Sequence, residues 1–212
     1  MKSHICSVTY IPESADTRLS LISHENRCVF KKAQAVGEEE REVPAEYLNN
    51  FDILLRDVCF DDLNDTGSAE APALSVAFDD GRKYTLCRGD LPDGDRLFSD
   101  IGRYFTAYSE KEIKPFTLTF DSFDGGGAEY FPEVVTPGLI TWYRNTVYFN
   151  PDHDQMCGSG YEIRFSFFPL RPGNAKVVIR ANSPLYPEPD RLLTADIGEE
   201  LDMTCSVNEK RG

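Results

Sequence analysis

At 212 residues, with 41% hydrophobic, 12% aromatic and 27% charged residues, the chain has the composition of a globular protein long enough to bury a core without covalent staples. Its net charge of −14 creates a field that repels phosphate backbones and anionic lipid head groups, which argues against nucleic-acid and membrane-surface partners. No run approaches the roughly 20 apolar residues that cross a bilayer, and Met1-Lys2-Ser3-His4-Ile5-Cys6 leads into no apolar signal segment, so a cytoplasmic location is expected.

Residues 4 to 36 alternate as two or three strands of an antiparallel meander. Cys6, Val8 and Tyr10 share one face, Leu19 and Leu21 another, and Cys28-Val29-Phe30 opens a third segment. After the acidic run Glu38-Glu39-Glu40, Pro44 suits a first helical turn. Tyr47, Leu48, Phe51, Leu54, Leu55 and Val58 then recur at the spacing of one helical face. Leu74, Val76 and Phe78 alternate up to Asp80-Gly81, whose residue types favour a tight hairpin turn, and Tyr84 and Leu86 resume the alternation. A second amphipathic helix is predicted from Pro92 to Tyr108, with Asp93 able to cap it and Leu97, Phe98, Ile101, Phe105 and Tyr108 along one side. Strands, helix, hairpin and helix make a two-layer α+β unit, an antiparallel sheet with two helices.

Ser109-Glu110-Lys111-Glu112 and Pro115 end that helix and place a domain boundary near residue 112, separating domains 1–112 and 113–212. Beyond it, helical periodicity gives way to short alternating runs: Phe116/Leu118/Phe120, Leu139 to Phe149, Tyr161/Ile163/Phe165/Phe167, Val177/Ile179 and Leu201/Met203/Cys205/Val207. Such a series, punctuated by Gly and Pro, predicts an all-β sandwich.

Catalytic and metal-binding patterns are sparse. Asp152-His153-Asp154-Gln155-Met156-Cys157 is the densest cluster of ligand-type side chains, but zinc needs three or four ligands and no second Cys/His pair is present. A Cys157 nucleophile with His153 as base would make a thiol enzyme, yet such pairs are normally assembled from distant positions and oriented by a third group. Gly125-Gly126-Gly127 lacks the Gly-Lys-Ser/Thr continuation and the helix that a phosphate loop requires. No alternating Asp-x-Asp-x-Asp-Gly calcium loop occurs. The expectation is a non-enzymatic protein without cofactor or metal. The six cysteines are scattered, without Cys-x-x-Cys, and read as free and mostly buried thiols, with a Cys157–Cys205 bridge left open.

One stretch is more specific. Cys157-Gly158-Ser159-Gly160 leads into the alternating aromatic strand Tyr161-Glu162-Ile163-Arg164-Phe165-Ser166-Phe167-Phe168. Pro169-Leu170-Arg171-Pro172-Gly173 follows, and then Val177 to Pro184. This series resembles the carboxy-terminal half of chagasin-like inhibitors of papain-type cysteine peptidases. The resemblance implies an immunoglobulin-like sandwich whose loops at one end wedge into a peptidase cleft. The residues carried over are Gly125, Gly126 and Gly127, then Cys157, Gly158, Ser159 and Gly160, then Ser183, Pro184 and Leu185. The family's Asn-Pro-Thr-Thr-Gly-Tyr loop is replaced by Phe123-Asp124-Gly125-Gly126-Gly127, and the Trp that packs its third loop is missing. A scaffolding role for a non-inhibitory sandwich is the alternative. In the first domain, the Phe78-Asp79-Asp80-Gly81 hairpin followed by a helix resembles segments of uncharacterised bacterial proteins, a likeness that implies no function.

Overall fold

The computed structural model describes residues 3–14, 16–24, 27–60, 71–123, 127–150, 158–183 and 188–209. The chain divides into two compact units, Met1–Glu112 and Ile113–Gly212.

In the first unit, β1 (Ile5–Ile11), β2 (Thr17–His24), β3 (Arg27–Gln34), β4 (Gly37–Val43), β5 (Ala73–Phe78) and β6 (Lys83–Cys87) form one antiparallel sheet in the order β4-β3-β2-β1-β5-β6. Alternation along the strands becomes continuity across them. Val8 pairs with Leu21 and Val76, and Leu21 pairs with Phe30, while Tyr10 pairs with Leu19 and Leu74. These residues are all buried on a single apolar face. The turn after β5 uses Gly81 at φ +90°, a conformation that glycine adopts without steric cost.

The apolar stripe after Pro44 forms two short helices, α1 (Glu46–Asn49) and α2 (Phe51–Leu54), where the spacing predicts one longer helix. Asn50 stands at the joint, fully buried, and its Nδ2 donates to Tyr104 Oη at 2.8 Å. Tyr104 in turn donates to the Tyr47 carbonyl at 3.0 Å. Asn50 keeps right-handed helical dihedrals, φ −61° and ψ −23°, and the buried polar pair ties this joint to α3 (Gly94–Phe105), while Val58 lies beyond the helical span. A single π-helical turn, Thr106–Glu110, extends α3. Asp93 stands at its start but makes no side-chain capping bond. Tyr10 stacks on Phe105 at 5.8 Å, and Phe51 meets Tyr104 edge-on at 5.3 Å, so the core of this unit is largely aromatic.

The acidic run after Gly37 is strand β4, at the sheet edge. Its glutamates face the lysines of β3, with Lys31 Nζ 2.7 Å from Glu40. An edge strand carrying charge on nearly every residue resists pairing with another chain.

The second unit holds β7 (Phe116–Phe123), β8 (Glu129–Val134), β9 (Ile140–Tyr148), β10 (Gly160–Pro169), β11 (Gly173–Asn182), β12 (Arg191–Ile197) and β13 (Met203–Glu209). They form two antiparallel sheets, β7-β10-β9 and β13-β12-β11-β8. Ile163, Phe165 and Phe167 of β10 are fully buried, as are Val177 and Ile179 of β11 and Leu193 and Ala195 of β12. Phe120 of β7 stacks on Tyr130 of β8 with ring centroids 4.2 Å apart, which brings the two sheets together in a sandwich-like, β-rich arrangement. Strands β8 and β12 were not legible as apolar runs in the sequence. Trp142 packs edge-on against Phe165 at 5.6 Å. Among the described residues, no helix is long and apolar enough to cross a membrane.

Candidate functional site

Strand register decides which loops of the second unit meet. Phe123, the last residue of β7, pairs with Gly160, the first of β10. Tyr161 pairs with Tyr148 at the end of β9. Asn182, ending β11, pairs with Glu129, starting β8. The connections β7–β8, β9–β10 and β11–β12 therefore emerge at the same end of the two sheets. These connections contain the three segments singled out in the sequence.

Within them the structure describes Gly127, Gly158, Ser159, Gly160 and Ser183, whereas Gly125, Gly126, Cys157, Pro184 and Leu185, together with His153, lie outside the described residues. At the β7–β8 connection, the Gly127 amide donates to the Phe123 carbonyl at 3.0 Å, and Ser122 Oγ donates to the Ala128 carbonyl at 2.8 Å. A Cβ on Gly127 would collide with Ser122 Oγ and with the Phe123 backbone, so the close approach at this turn requires glycine. Gly158 has φ +75°, the left-handed region that side chains disfavour. Ser159, next along, is 7% exposed, and its Oγ is buried without a hydrogen-bond partner among the described residues. Gly160 lies under Phe149, whose Cδ2 would stand 3.1 Å from a Cβ there.

At the β11–β12 connection, Asp190 accepts from the Ala181 amide at 3.2 Å and pairs with Arg180 at 3.1 Å. Tyr130 donates its hydroxyl to Glu188, and burial together with that carboxylate raises the phenol above its ordinary range. These bonds anchor the described flanks of the loop to the sheet beneath it, the arrangement in which a scaffold lowers the ordering cost of recognition.

Three exposed aromatic residues at this end are not among the site residues carried over from the sequence: Phe123, Tyr148 and Phe149, which are 43%, 41% and 63% exposed. One signal was available for Phe123, which falls out of phase with Phe116, Leu118 and Phe120.

Elsewhere the chemistry is muted. Cys6, Cys28, Cys59, Cys87 and Cys205 carry free thiols. Burial pushes Cys28 and Cys205 up to about 11, away from thiolate reactivity. Cys28 lines a cleft of about 300 Å³ in the first unit with His4, Ser23, Arg27, Asn49 and Asp52. Among the described residues, no group of three or more His, Cys, Asp or Glu side chains could hold a metal ion.

Compared with protein-family models, curated proteins and solved structures, the chain matches none.

Proposed function

We propose that the second unit is a non-enzymatic protein-binding module that acts through the three connections at one end of its sheets, with a papain-type cysteine peptidase as its target. The observation that carries this reading is the register, which converts three segments far apart in sequence into one surface. Strand order supports an immunoglobulin-like plan. The set β7-β10-β9 follows the B-E-D order of such domains, and β8-β11-β12 follows C-F-G, with β13 added beside the last strand and no counterpart of strand A among the described residues. On that plan the three connections are the B–C, D–E and F–G loops. The exposed aromatic residues beside them supply rigid contact area at low entropic cost.

The test is inhibition of a papain-type peptidase by the full chain, compared with Gly127→Ala and Gly158→Val variants whose circular dichroism is unchanged. Inhibition by the unaltered chain that is lost in both variants is the expected result. A folded chain that leaves the peptidase fully active at micromolar concentration overturns the inhibitor reading. Capture of a different partner, abolished by the same variants, would keep the loops and replace the target.

A further inference from the structure

In the first unit, α1, α2 and α3 pack on the face of the sheet that carries Tyr10, Leu21 and Phe30. The opposite face carries the alternate residues, and the register sets them in straight rows that cross all six strands. From β4 to β6, one row reads Glu40, Lys31, Ser20, Thr9, Ser75, Thr85, and its neighbour reads Glu42, Val29, Ile22, Ser7, Ala77, Lys83. The Thr9 and Ser20 hydroxyls lie 2.9 Å apart and those of Ser75 and Thr85 3.3 Å apart, so the hydroxyls satisfy one another within the sheet. The middle of this face is therefore a half-buried surface of small and β-branched side chains.

Charge on this face is balanced. Glu38, Glu40 and Glu42 are matched by Arg18, Lys31 and Lys83, on a chain whose net charge is −14. Two copies of so acidic a chain repel each other over most of their surface, and a neutral face is where they can approach. The charges are also sorted by position. The carboxylates stand along β4 at one edge of the sheet, and Lys83 stands on β6 at the other edge, where it makes no ion pair among the described residues.

We propose that this face receives a second copy of the chain, the two sheets packing about a two-fold axis that runs parallel to the strands, midway between β1 and β2. A half-turn about that axis keeps each row and reverses the strand order, so β4 faces β6, β3 faces β5 and β2 faces β1. Larger side chains then meet smaller ones, Ile22 over Ser7 and Val29 over Ala77, and Glu42 faces Lys83 twice by symmetry. Packed sheets cross at roughly 30°, which slides the outermost strands past each other by about 6 Å, a distance that a lysine side chain spans. The face measures roughly 29 by 20 Å, and the pair buries about 1,200 Å², at the small end of specific interfaces, so the dimer is a weak one. Pairing gives the first unit a role that the loop-end reading leaves unassigned. It presents two second units together, which raises the apparent affinity for a clustered partner.

The experiment is sedimentation equilibrium of the full chain from micromolar to near-millimolar concentration. A monomer–dimer equilibrium with a midpoint on the order of 10 to 100 µM is expected. Lys83→Glu and Glu42→Lys alter exposed residues, and each sets like charges against each other at two symmetric contacts, so each should weaken the dimer roughly 5- to 30-fold. An equimolar mixture of the two variants restores opposite charges at both contacts and should associate as the unaltered chain does. Thr9→Arg, checked for folding by circular dichroism, brings two cations together near the axis and should leave a monomer. A chain that stays monomeric throughout, a dimer indifferent to all three variants, or a mixture no stronger than its components overturns the proposal. All three positions lie in the first unit, so peptidase inhibition measured on the same variants is a separate reading. Inhibition without dimerisation sinks the self-association face alone, and dimerisation without inhibition removes the peptidase alone.

Discussion

Replacing Ser159 by Ala should make the protein more stable, against the usual direction of loop substitutions. The Ser159 hydroxyl is buried and has no hydrogen-bond partner among the described residues, and the residue is held between Gly158 in the left-handed region and Gly160 beneath a phenyl ring. A buried hydroxyl left unsatisfied costs about 1–3 kcal/mol relative to one solvated by water. Alanine keeps the Cβ and removes the oxygen, and the small space left behind offsets part of the gain. The net expectation is a stabilisation of about 1 kcal/mol, which for a unit of about a hundred residues raises the melting temperature by roughly 4–8 °C. Differential scanning calorimetry of the full chain, following the transition of the second unit, reads this directly. A fall in melting temperature would mean that the hydroxyl is satisfied in the folded protein, and the reasoning would be refuted. The same variant in the peptidase assay adds a functional reading. Greater stability with weaker inhibition would mark the hydroxyl as reserved for the partner, a strained group whose cost is recovered on binding.

Tyr104→Phe should cost about 2–4 kcal/mol in urea denaturation, because one deletion takes a partner from both Asn50 Nδ2 and the Tyr47 carbonyl in a fully buried site. A loss below about 0.5 kcal/mol would show that the bonds are replaced at no cost. Cys28 should alkylate with iodoacetamide at neutral pH about a hundredfold more slowly than a free thiol, since burial raises it from 9.0 to about 11, whereas exposed Cys59 should react at an ordinary rate. The same shift has a pH signature. The folded state holds the Cys28 proton more tightly than the unfolded chain, so its contribution is fully present below pH 9 and is lost as pH rises through about 11. The slope in that window is about 1.4 kcal/mol per pH unit, and a Cys28→Ala variant should show a correspondingly flatter profile in alkaline denaturation.

What the sequence determined by itself is the set of faces that had to be buried. The alternation of Val8 and Tyr10, of Leu74 and Val76, and of Ile163, Phe165 and Phe167 is a local property of period two, and those side chains line the buried faces of the sheets. The stripe through Phe98, Ile101 and Phe105 specified α3 for the same reason, and Asp80-Gly81 lies in the turn between β5 and β6.

Tertiary structure alone decided the elements whose stability comes from a distant partner. Strand β4 is built from glutamates, which carry no apolar alternation, and it pairs with β3 where lysines stand opposite. Strand β8, which contains Pro132, becomes a strand because β11 pairs with it. The joint at Asn50 is tied down by a hydroxyl 54 residues away. The loop end obeys the same logic, since Gly127, Gly160 and Ser183 share one end of the sheets only through three separate cross-strand registers. Phe123 and Phe149 flank Gly160 only because β10 runs between their strands. Periodicity records which side of a strand is apolar, whereas cross-strand neighbours are chosen by hydrogen bonds and packing between segments far apart in the chain, and that choice assembled the candidate site.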